Sequence, residues 1–342
     1  MEYEVTIGIP VYNVERYIRQ TMDSALAQTF PAIEFLICDD CGTDGSIDIV
    51  HEYQQTHPRG KDIRIVRQPQ NMGIGEARNR MMAEARGKFF YSLDADDMIR
   101  KDTISLLYEA ARKYDAQIVY GSREHLHDNG ERRWSVQYPY PFRVFSKPDE
   151  YAEYVYNVGI QVQNWNYLID LDVIRRNHLR VTPVGHGYGE DFTFTVDLPT
   201  YITRAVLLPD FTYQYYIEEK VFHGKRHKKI SRKQMDLAVA SIDQKKHRTE
   251  LKQKPYYAKR CAILMMYDFS FACQMLARKS EADPPYTNRE IRDVMKHPMS
   301  LGEILTSKQV RMKNLSFWLI GALPPGLSVL ALRVVGKLTH RP

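Results

Sequence analysis

Cysteine is scarce in this chain, four in 342 residues, which excludes a disulfide framework as the source of its stability. Cys38 and Cys41 have the spacing of a metal or redox pair, but no second pair follows. Cys261 and Cys273 stand too far apart to complete a zinc ribbon, so all four read as small hydrophobes. The N-terminus lacks the basic region and apolar core of a secretory signal. These absences lead us to expect a reducing, cytoplasmic setting. Long apolar runs are also missing. The charge-free stretch Leu315 to Leu332 is interrupted by Pro324-Pro325-Gly326, whereas a spanning helix needs about 20 consecutive apolar residues. Two short helices or an interfacial hairpin are expected there. Flanking Lys308, Arg311, Lys313, Arg333 and Lys337 suit peripheral contact with the anionic inner face of a membrane, against the alternative of a helical pair docked on the protein.

The composition is that of a folded globular chain, 44% hydrophobic and 26% charged, and the length suits one large or two modest domains. The net charge of +6 is concentrated between His223 and Lys259. Its densest part is Lys225-Arg226-His227-Lys228-Lys229-Ile230-Ser231-Arg232-Lys233, which suits a lid over a phosphorylated ligand, a clamp on a lipid-linked diphosphate, or simply a solvated charge run.

Strand and helix patterns alternate through the first part. Val5 to Val11, Ile33 to Cys38, Ile63 to Val66, Phe89 to Leu93 and Gln117 to Gly121 read as strands. Helices are expected from about Glu15 to Gln28, capped by Asn13, then after Gly45, from Gly73 to Ala85 and after Asp102. This alternation predicts an α/β fold with a predominantly parallel sheet and helices on both faces. After Arg123 the pattern loosens into a Pro- and Tyr-rich stretch, Trp134 to Pro148, read as loop and short strands. Helical patterns resume at Glu150 to Tyr156 and Asp170 to Asn177, then in a basic region from Gln234 to Lys279. We set a boundary near 220, giving domains 1–220 and 221–342.

Acidic clusters end two of the strands: Asp39-Asp40 after Cys38, and Asp94-Ala95-Asp96-Asp97 after Leu93. Ligands of open α/β sheets gather at such strand ends, and crowded carboxylates repel unless a cation or hydrogen-bonding ligand offsets them. A third pair, Glu190-Asp191, follows the loop Gly185-His186-Gly187-Tyr188-Gly189. His186, His223 and His227 show no metal spacing, and His186, in the glycine loop, is the one singled out for test.

Five ordered blocks carry a family resemblance: Ile9-Pro10-Val11-Tyr12-Asn13, Ser24-Ala25-Leu26-Ala27-Gln28-Thr29-Phe30, Asp39-Asp40-Cys41-Gly42-Thr43-Asp44-Gly45-Ser46, Asn71-Met72-Gly73 with Ala77-Arg78-Asn79, and Leu93-Asp94-Ala95-Asp96-Asp97. In this order they resemble the family 2 glycosyltransferases of bacterial surface-polysaccharide type. The likeness thins after residue 125 and returns at Trp165 and Glu190-Asp191. It implies a GT-A Rossmann-like nucleotide-binding sheet followed by a mainly helical C-terminal region. It also implies an enzyme that moves a hexosyl or N-acetylhexosaminyl group, with inversion, from a nucleoside diphosphate donor, usually a UDP-sugar, to a glycan or lipid-linked hydroxyl.

The resemblance assigns Mn²⁺ or Mg²⁺ to Asp94, Asp96 and Asp97, whose hard oxygens suit those ions. It assigns donor binding to Pro10, Tyr12, Asp39, Asp40, Asn71, Arg78, Asp94 and Ala95, with Asp39 on the base and Arg78 near the phosphates. The general base is Asp191, with Glu190 the alternative. The competing readings are helix caps for Asp39 and Asp40, a surface charge for Arg78, and a helix N-terminus for Glu190-Asp191. Departures lie toward the acceptor. Asn166 stands where the family commonly has Lys, and Thr182-Pro183 replaces a usual aromatic. The Gln-X-X-Arg-Trp motif of processive synthases is absent, so single-sugar transfer is expected. Of two rivals, a sugar-nucleotide nucleotidylyltransferase should carry a Gly- and Arg-rich loop where Pro10-Val11-Tyr12-Asn13 stands. A nucleic-acid- or phosphate-binding module would face repulsion from the acidic clusters, and no nucleic-acid partner is expected.

Overall fold

The computed structural model describes residues 3–128, 133–159, 163–183, 189–218, 231–307 and 312–339. Its residues group into two compact units. The first, Met1–Tyr151 with Gln161–Lys228, holds the sheet. It opens with β1 (Val5–Val11), α1 (Ile18–Leu26), β2 (Ile33–Asp39), α2 (Ser46–Thr56), β3 (Ile63–Arg67), α3 (Ile74–Glu84) and β4 (Phe89–Ser92). The strands lie in the order β3-β2-β1-β4, all parallel. Both β1 and β2 are buried over their whole length, which is why they read as unbroken apolar runs. Gly8 permits the closest packing on β1: an added Cβ would fall 2.5 Å from the Phe90 ring.

The chain moves outward from β1 through β2 to β3, then returns to add β4 on the other side of β1. That reversal is where a crevice opens at the carboxyl edge of such sheets. Pairing of β1 with β4 ends at Gly8, whereas β1 continues to Val11.

Beyond β4 the sheet departs from the parallel expectation. The elements are β5 (Met98–Ile99), α4 (Thr103–Lys113), β6 (Ile118–Asp128), β7 (Arg133–Tyr138), β8 (Arg143–Phe145), α5 (Glu150–Val158), β9 (Tyr167–Asp170), α6 (Leu171–Arg176), α7 (Glu190–Thr195) and β10 (Ala205–Glu218). Strand β9 inserts antiparallel between β4 and β6, and β6 runs parallel to β10. A four-residue strand is too short to show a period of its own. Strand β6 runs seven residues past the expected end at Gly121, to Asp128, because its outer half is half-exposed and carries polar and His residues. Helix α1 begins at Ile18, not near Glu15. Asn13 adopts φ 52°, and its Oδ1 accepts from Thr43 N–H at 2.7 Å instead of capping that helix.

The second unit, Ala152–Ile160 with Lys229–Pro342, is helical among its described residues: most of α5, then α8 (Arg232–Lys246), α9 (Tyr257–Ala277), α10 (Asn288–Val294), α11 (Leu301–Thr306), α12 (Met312–Ala322) and α13 (Pro325–Thr339). Capping boxes at Ser231, Thr287 and Ser300 start α8, α10 and α11, satisfying backbone N–H groups that the helix itself leaves open. The fully buried Lys246 lies 3.3 Å from Asp268 and donates to the Val294 and Lys296 carbonyls. The Pro324-Pro325 break does separate two helices. Phe317 and Ile320 of α12 and Val329 and Leu332 of α13 are buried, while Leu327, Leu330 and Val334 form an exposed apolar stripe. Among the described residues no helix is long and apolar enough to cross a membrane.

Candidate active site

Three neighbouring parallel strands, β2, β1 and β4, deliver their carboxyl ends to one edge of the sheet. Asp39 and Asp40 leave β2 there, Pro10 to Tyr12 leave β1, and Asp94 to Asp97 follow β4. The two carboxylates after β2 divide their tasks. Asp39, buried, accepts from Cys41 N–H at 2.9 Å and lies 3.4 Å from Arg67. Asp40 accepts from Met72 N–H at 2.7 Å and Gly73 N–H at 2.9 Å, so it holds the first turn of α3 from outside the helix. Pro10 pairs in register with Cys38. Tyr12 is 45% exposed at the mouth, and Asn71 is exposed in the turn before α3.

Arg78 is the centre of the site. It projects from α3 and is buried, which removes the surface-charge reading. One terminal nitrogen donates to Asp94 at 2.8 Å, the other to Asp191 at 3.0 Å. Burial works against its charge, but Asp94 and Asp191 outweigh that and raise its pKa. The next residue, Asn79, exchanges two hydrogen bonds of 2.8 Å with the backbone of Val181. Helix α3 therefore positions both Arg78 and the segment that leads toward Asp191. Asp191 starts α7 after Gly189, whose φ is 97°. Burial raises its pKa above the ordinary 3.8; Arg78 opposes the shift and Asp94 adds to it. Glu190 is buried beside it. Asn164, which the sequence reading did not single out, lies by the Asp191 carboxylate and helps hold its charge. Neither atom of its buried amide meets hydrogen-bond geometry with a protein group.

The acidic triplet after β4 also divides. Asp97 is fully buried: Tyr213 OH donates to one oxygen at 2.6 Å and Tyr216 N–H to the other at 2.8 Å. Burial, then Asp96 and Asp94, push its pKa well up. It anchors β10 beneath the loop and faces no solvent. The buried Ala95 turns its carbonyl to the Thr21 hydroxyl at 2.9 Å. Asp94 and Asp96 keep partial exposure. Among the described residues no three His, Cys, Asp or Glu side chains converge on one point as a closed metal site. Hard oxygens of Asp94 and Asp96 nevertheless fit Mg²⁺ or Mn²⁺, ions that keep several waters or substrate oxygens as ligands. A carboxylate has about four lone-pair sites, so the Arg78 contact leaves Asp94 with capacity to accept more.

Trp165 stacks on Tyr213, centroids 4.3 Å apart, and on Tyr215 at 5.3 Å. Asn166 does not reach the site. It is fully buried at φ 63°, donates to the Gly121 carbonyl at 2.6 Å, and accepts from the Thr212 hydroxyl at 2.7 Å. His186 and its glycine loop, His223, His227, the basic run up to Ile230, Lys308, Arg311 and the Lys337 side chain lie outside the described residues.

Residues 6–164 match the family model described as Glycosyl transferase family 2. Chondroitin synthase of Escherichia coli is 39% identical over 109 residues, 32% of this chain and 15% of that protein. The chain spans 13 to 16% of the length of the first curated relatives it matches. Among solved structures, S. aureus TarS 1-349 has a TM-score of 0.67 at 19% identity, covering 98% of this chain and 90% of that one; TarS has also been solved with UDP-GlcNAc. Mannosyltransferase PcManGT from Pyrobaculum calidifontis, solved with GDP-Man and Mn²⁺, has a TM-score of 0.52 at 15% identity, covering 100% and 89%. At these identities the structural likenesses speak for a common GT-A fold.

Proposed function

We propose, from the match of residues 6–164 to the family model described as Glycosyl transferase family 2, that this protein is a metal-dependent, inverting glycosyltransferase of polysaccharide assembly. It takes a hexosyl or N-acetylhexosaminyl group from a UDP-sugar and passes it to a glycan or lipid-linked hydroxyl. The observation that carries the reading is the Arg78 bridge between Asp94 and Asp191. It joins a carboxylate at the switch-point crevice to one whose pKa burial has raised. A general base works best when its pKa lies nearer the operating pH, and Asp191 has moved in that direction.

In this reading Asp39 accepts the N–H of the uracil, beside Pro10 and Tyr12. Asp94 and Asp96 hold the divalent cation, which when bound offsets charge on the leaving diphosphate. Asp191 takes the proton of the acceptor hydroxyl as that oxygen attacks the anomeric carbon from the face opposite the diphosphate. Asp40 and Asp97 act by holding α3 and β10 in place. The UDP-GlcNAc and the GDP-Man with Mn²⁺ in the two structural neighbours support a nucleotide-sugar donor and a divalent ion. The exposed stripe Leu327, Leu330 and Val334, beside Arg333, supports peripheral contact with an anionic membrane.

The test is Asp191→Asn with UDP-sugar donors and Mn²⁺. Turnover should fall about 10²- to 10⁴-fold, the usual weight of general base catalysis, while UDP still raises the melting temperature as in the parent. Full activity would remove Asp191 from the base role. A parent protein whose melting does not respond to UDP with Mn²⁺ would remove the donor assignment.

A further inference from the structure

One face of the sheet in the first unit runs outward from the buried Tyr213 and carries a row of rings. Strands β7, β6 and β10 lie side by side, and their register sets Tyr138, Val136 and Trp134 of β7 opposite Arg123, His125 and His127 of β6. The same β6 residues stand opposite Tyr213, Tyr215 and Ile217 of β10. Side chains alternate between faces along a strand, so all nine share one face. The rings touch in sequence: Trp165 on Tyr215, Tyr215 with His125 at 5.0 Å, His125 with Tyr138 at 4.4 Å, and His127 stacked on Trp134 at 5.0 Å. The opposite face carries Glu124, Leu126 and Asp128 with Gln137, Ser135 and Arg133 and has no ring of β6 or β7.

We propose that this aromatic face is the acceptor platform, and that its occupant is a run of pyranose rings, so that the acceptor is an extended glycan. The proposal rests on the glycosyl-transfer reading above and names its acceptor class.

Continuity with the carboxylates is the first argument. Tyr213 touches Asp97 and the Asp94 backbone. Trp165, stacked on Tyr215, follows Asn164, which lies by the Asp191 carboxylate. In this proposal a molecule lying on the face has its reacting end directed toward Asp191. Chemistry is the second argument. A pyranose offers an apolar face of C–H bonds with a rim of hydroxyls, and Tyr, Trp and His offer the complement, flat apolar bodies with polar tips. Burial, Arg123 and His127 hold His125 neutral, its pKa lowered to about 4. A neutral imidazole presents its ring to the neighbouring Tyr215 and Tyr138 without a charge to desolvate. Two strand spacings across and two residues along give about 12 Å from Tyr215 to Trp134, room for about two or three rings. Tyr138 and Val136 are about 40% exposed, more than an internal packing role requires.

Isothermal titration of the full chain with chitohexaose, cellohexaose, maltohexaose and a hexasaccharide of alternating N-acetylhexosamine and hexuronate, each against its disaccharide, tests this. At least one hexasaccharide should bind about tenfold more tightly than its disaccharide. Trp134→Ala and Tyr138→Ala should each reduce that gain about three- to tenfold, and Trp134→Phe should restore most of it. Ser135→Ala and Gln137→Ala, on the same strand but the opposite face, should not alter it, which separates loss of the platform from loss of the strand. No length dependence with any of the four glycans, or equal losses from both faces, overturns the proposal. The thermal response to UDP with Mn²⁺ reads the donor site separately. A protein that responds to UDP but shows no platform refutes only this inference, and one that binds glycans through Trp134 and Tyr138 but ignores nucleotides refutes only the transfer reading.

Discussion

Replacing Arg78 by Met keeps the helix and most of the volume but removes the cation between Asp94 and Asp191. Taking away one partner of a buried ion pair costs about 3–5 kcal/mol, because the remaining charge is left without compensation. The Asp94 and Asp191 side chains keep 18% and 29% of their exposure, so water screens part of the cost, and about 3 kcal/mol is the expected figure at neutral pH. The pH dependence has a definite sign. Asp191 binds its proton more firmly in the native protein than in the unfolded chain, since its pKa is raised from 3.8 by burial against the opposing pull of Arg78. Stability therefore falls as pH rises from 3.8 through the native value. Arg78→Met removes the opposing pull, raises that value further, and widens the interval of loss. Urea unfolding should show a larger penalty at pH 8 than at pH 4.5, because Asp191 of the variant takes up its proton at a higher pH than Asp191 of the parent. An equal penalty at both pH values would refute the electrostatic account and leave Arg78 as a packing residue.

Asp96→Ala should abolish the part of the UDP thermal shift that depends on Mn²⁺; a ligand at a hundred times its Kd adds about 2.7 kcal/mol to stability. An unchanged Mn²⁺ increment would take Asp96 out of the metal site. Asp40→Ala leaves two N–H groups at the start of α3 without an acceptor and should cost about 2 kcal/mol by urea unfolding. A loss under 0.5 kcal/mol, on the order of an ordinary surface change, would contradict the tethering role. Tyr213→Phe removes the hydroxyl that donates to the buried Asp97 and should cost about 1.5–3 kcal/mol. A neutral outcome would mean that Asp97 finds another donor.

The donor half of the fold was legible because its strands are buried on both faces. Val5–Val11 and Ile33–Asp39 have no solvent face to interrupt their apolar pattern, and each ends in the turn and acidic residues that mark the carboxyl edge. The outer half of β6 was not legible, and β7 was legible only as one of the short strands expected between Trp134 and Pro148. Arg123 to Asp128 is half-exposed, and its two faces, Arg123, His125 and His127 against Glu124, Leu126 and Asp128, show no alternation of apolar with polar. At the site, sequence order brought out Asp39, Arg78, Asp94 and Asp191 as residues of interest. It was silent on how neighbours divide the work. Nothing in Asp39-Asp40 says that the second carboxylate holds the start of α3, and nothing in Asp94-Ala95-Asp96-Asp97 says that the last lies under Tyr213. Those roles depend on residues 32 to 119 positions away. Asn164 carried no signal except its place before Trp165.

The antiparallel insertion of β9 has a consequence for the order in which the molecule is made. Strands β1 to β4 occupy residues 5–92 and join one another through α1, α2 and α3, so they can dock early in synthesis. Among the described residues the later strands meet the earlier ones side by side only through Tyr167–Asp170, which emerges some 75 residues after β4. Distant pairings of this kind are slow because loop closure precedes any gain from contact. The nucleotide half should thus gain hydrogen-exchange protection first, with the open edge of β4 waiting for its partner. Asp191 and Tyr213 lie beyond that seam in the chain, so the carboxylate cluster is completed only after the parallel half has been made.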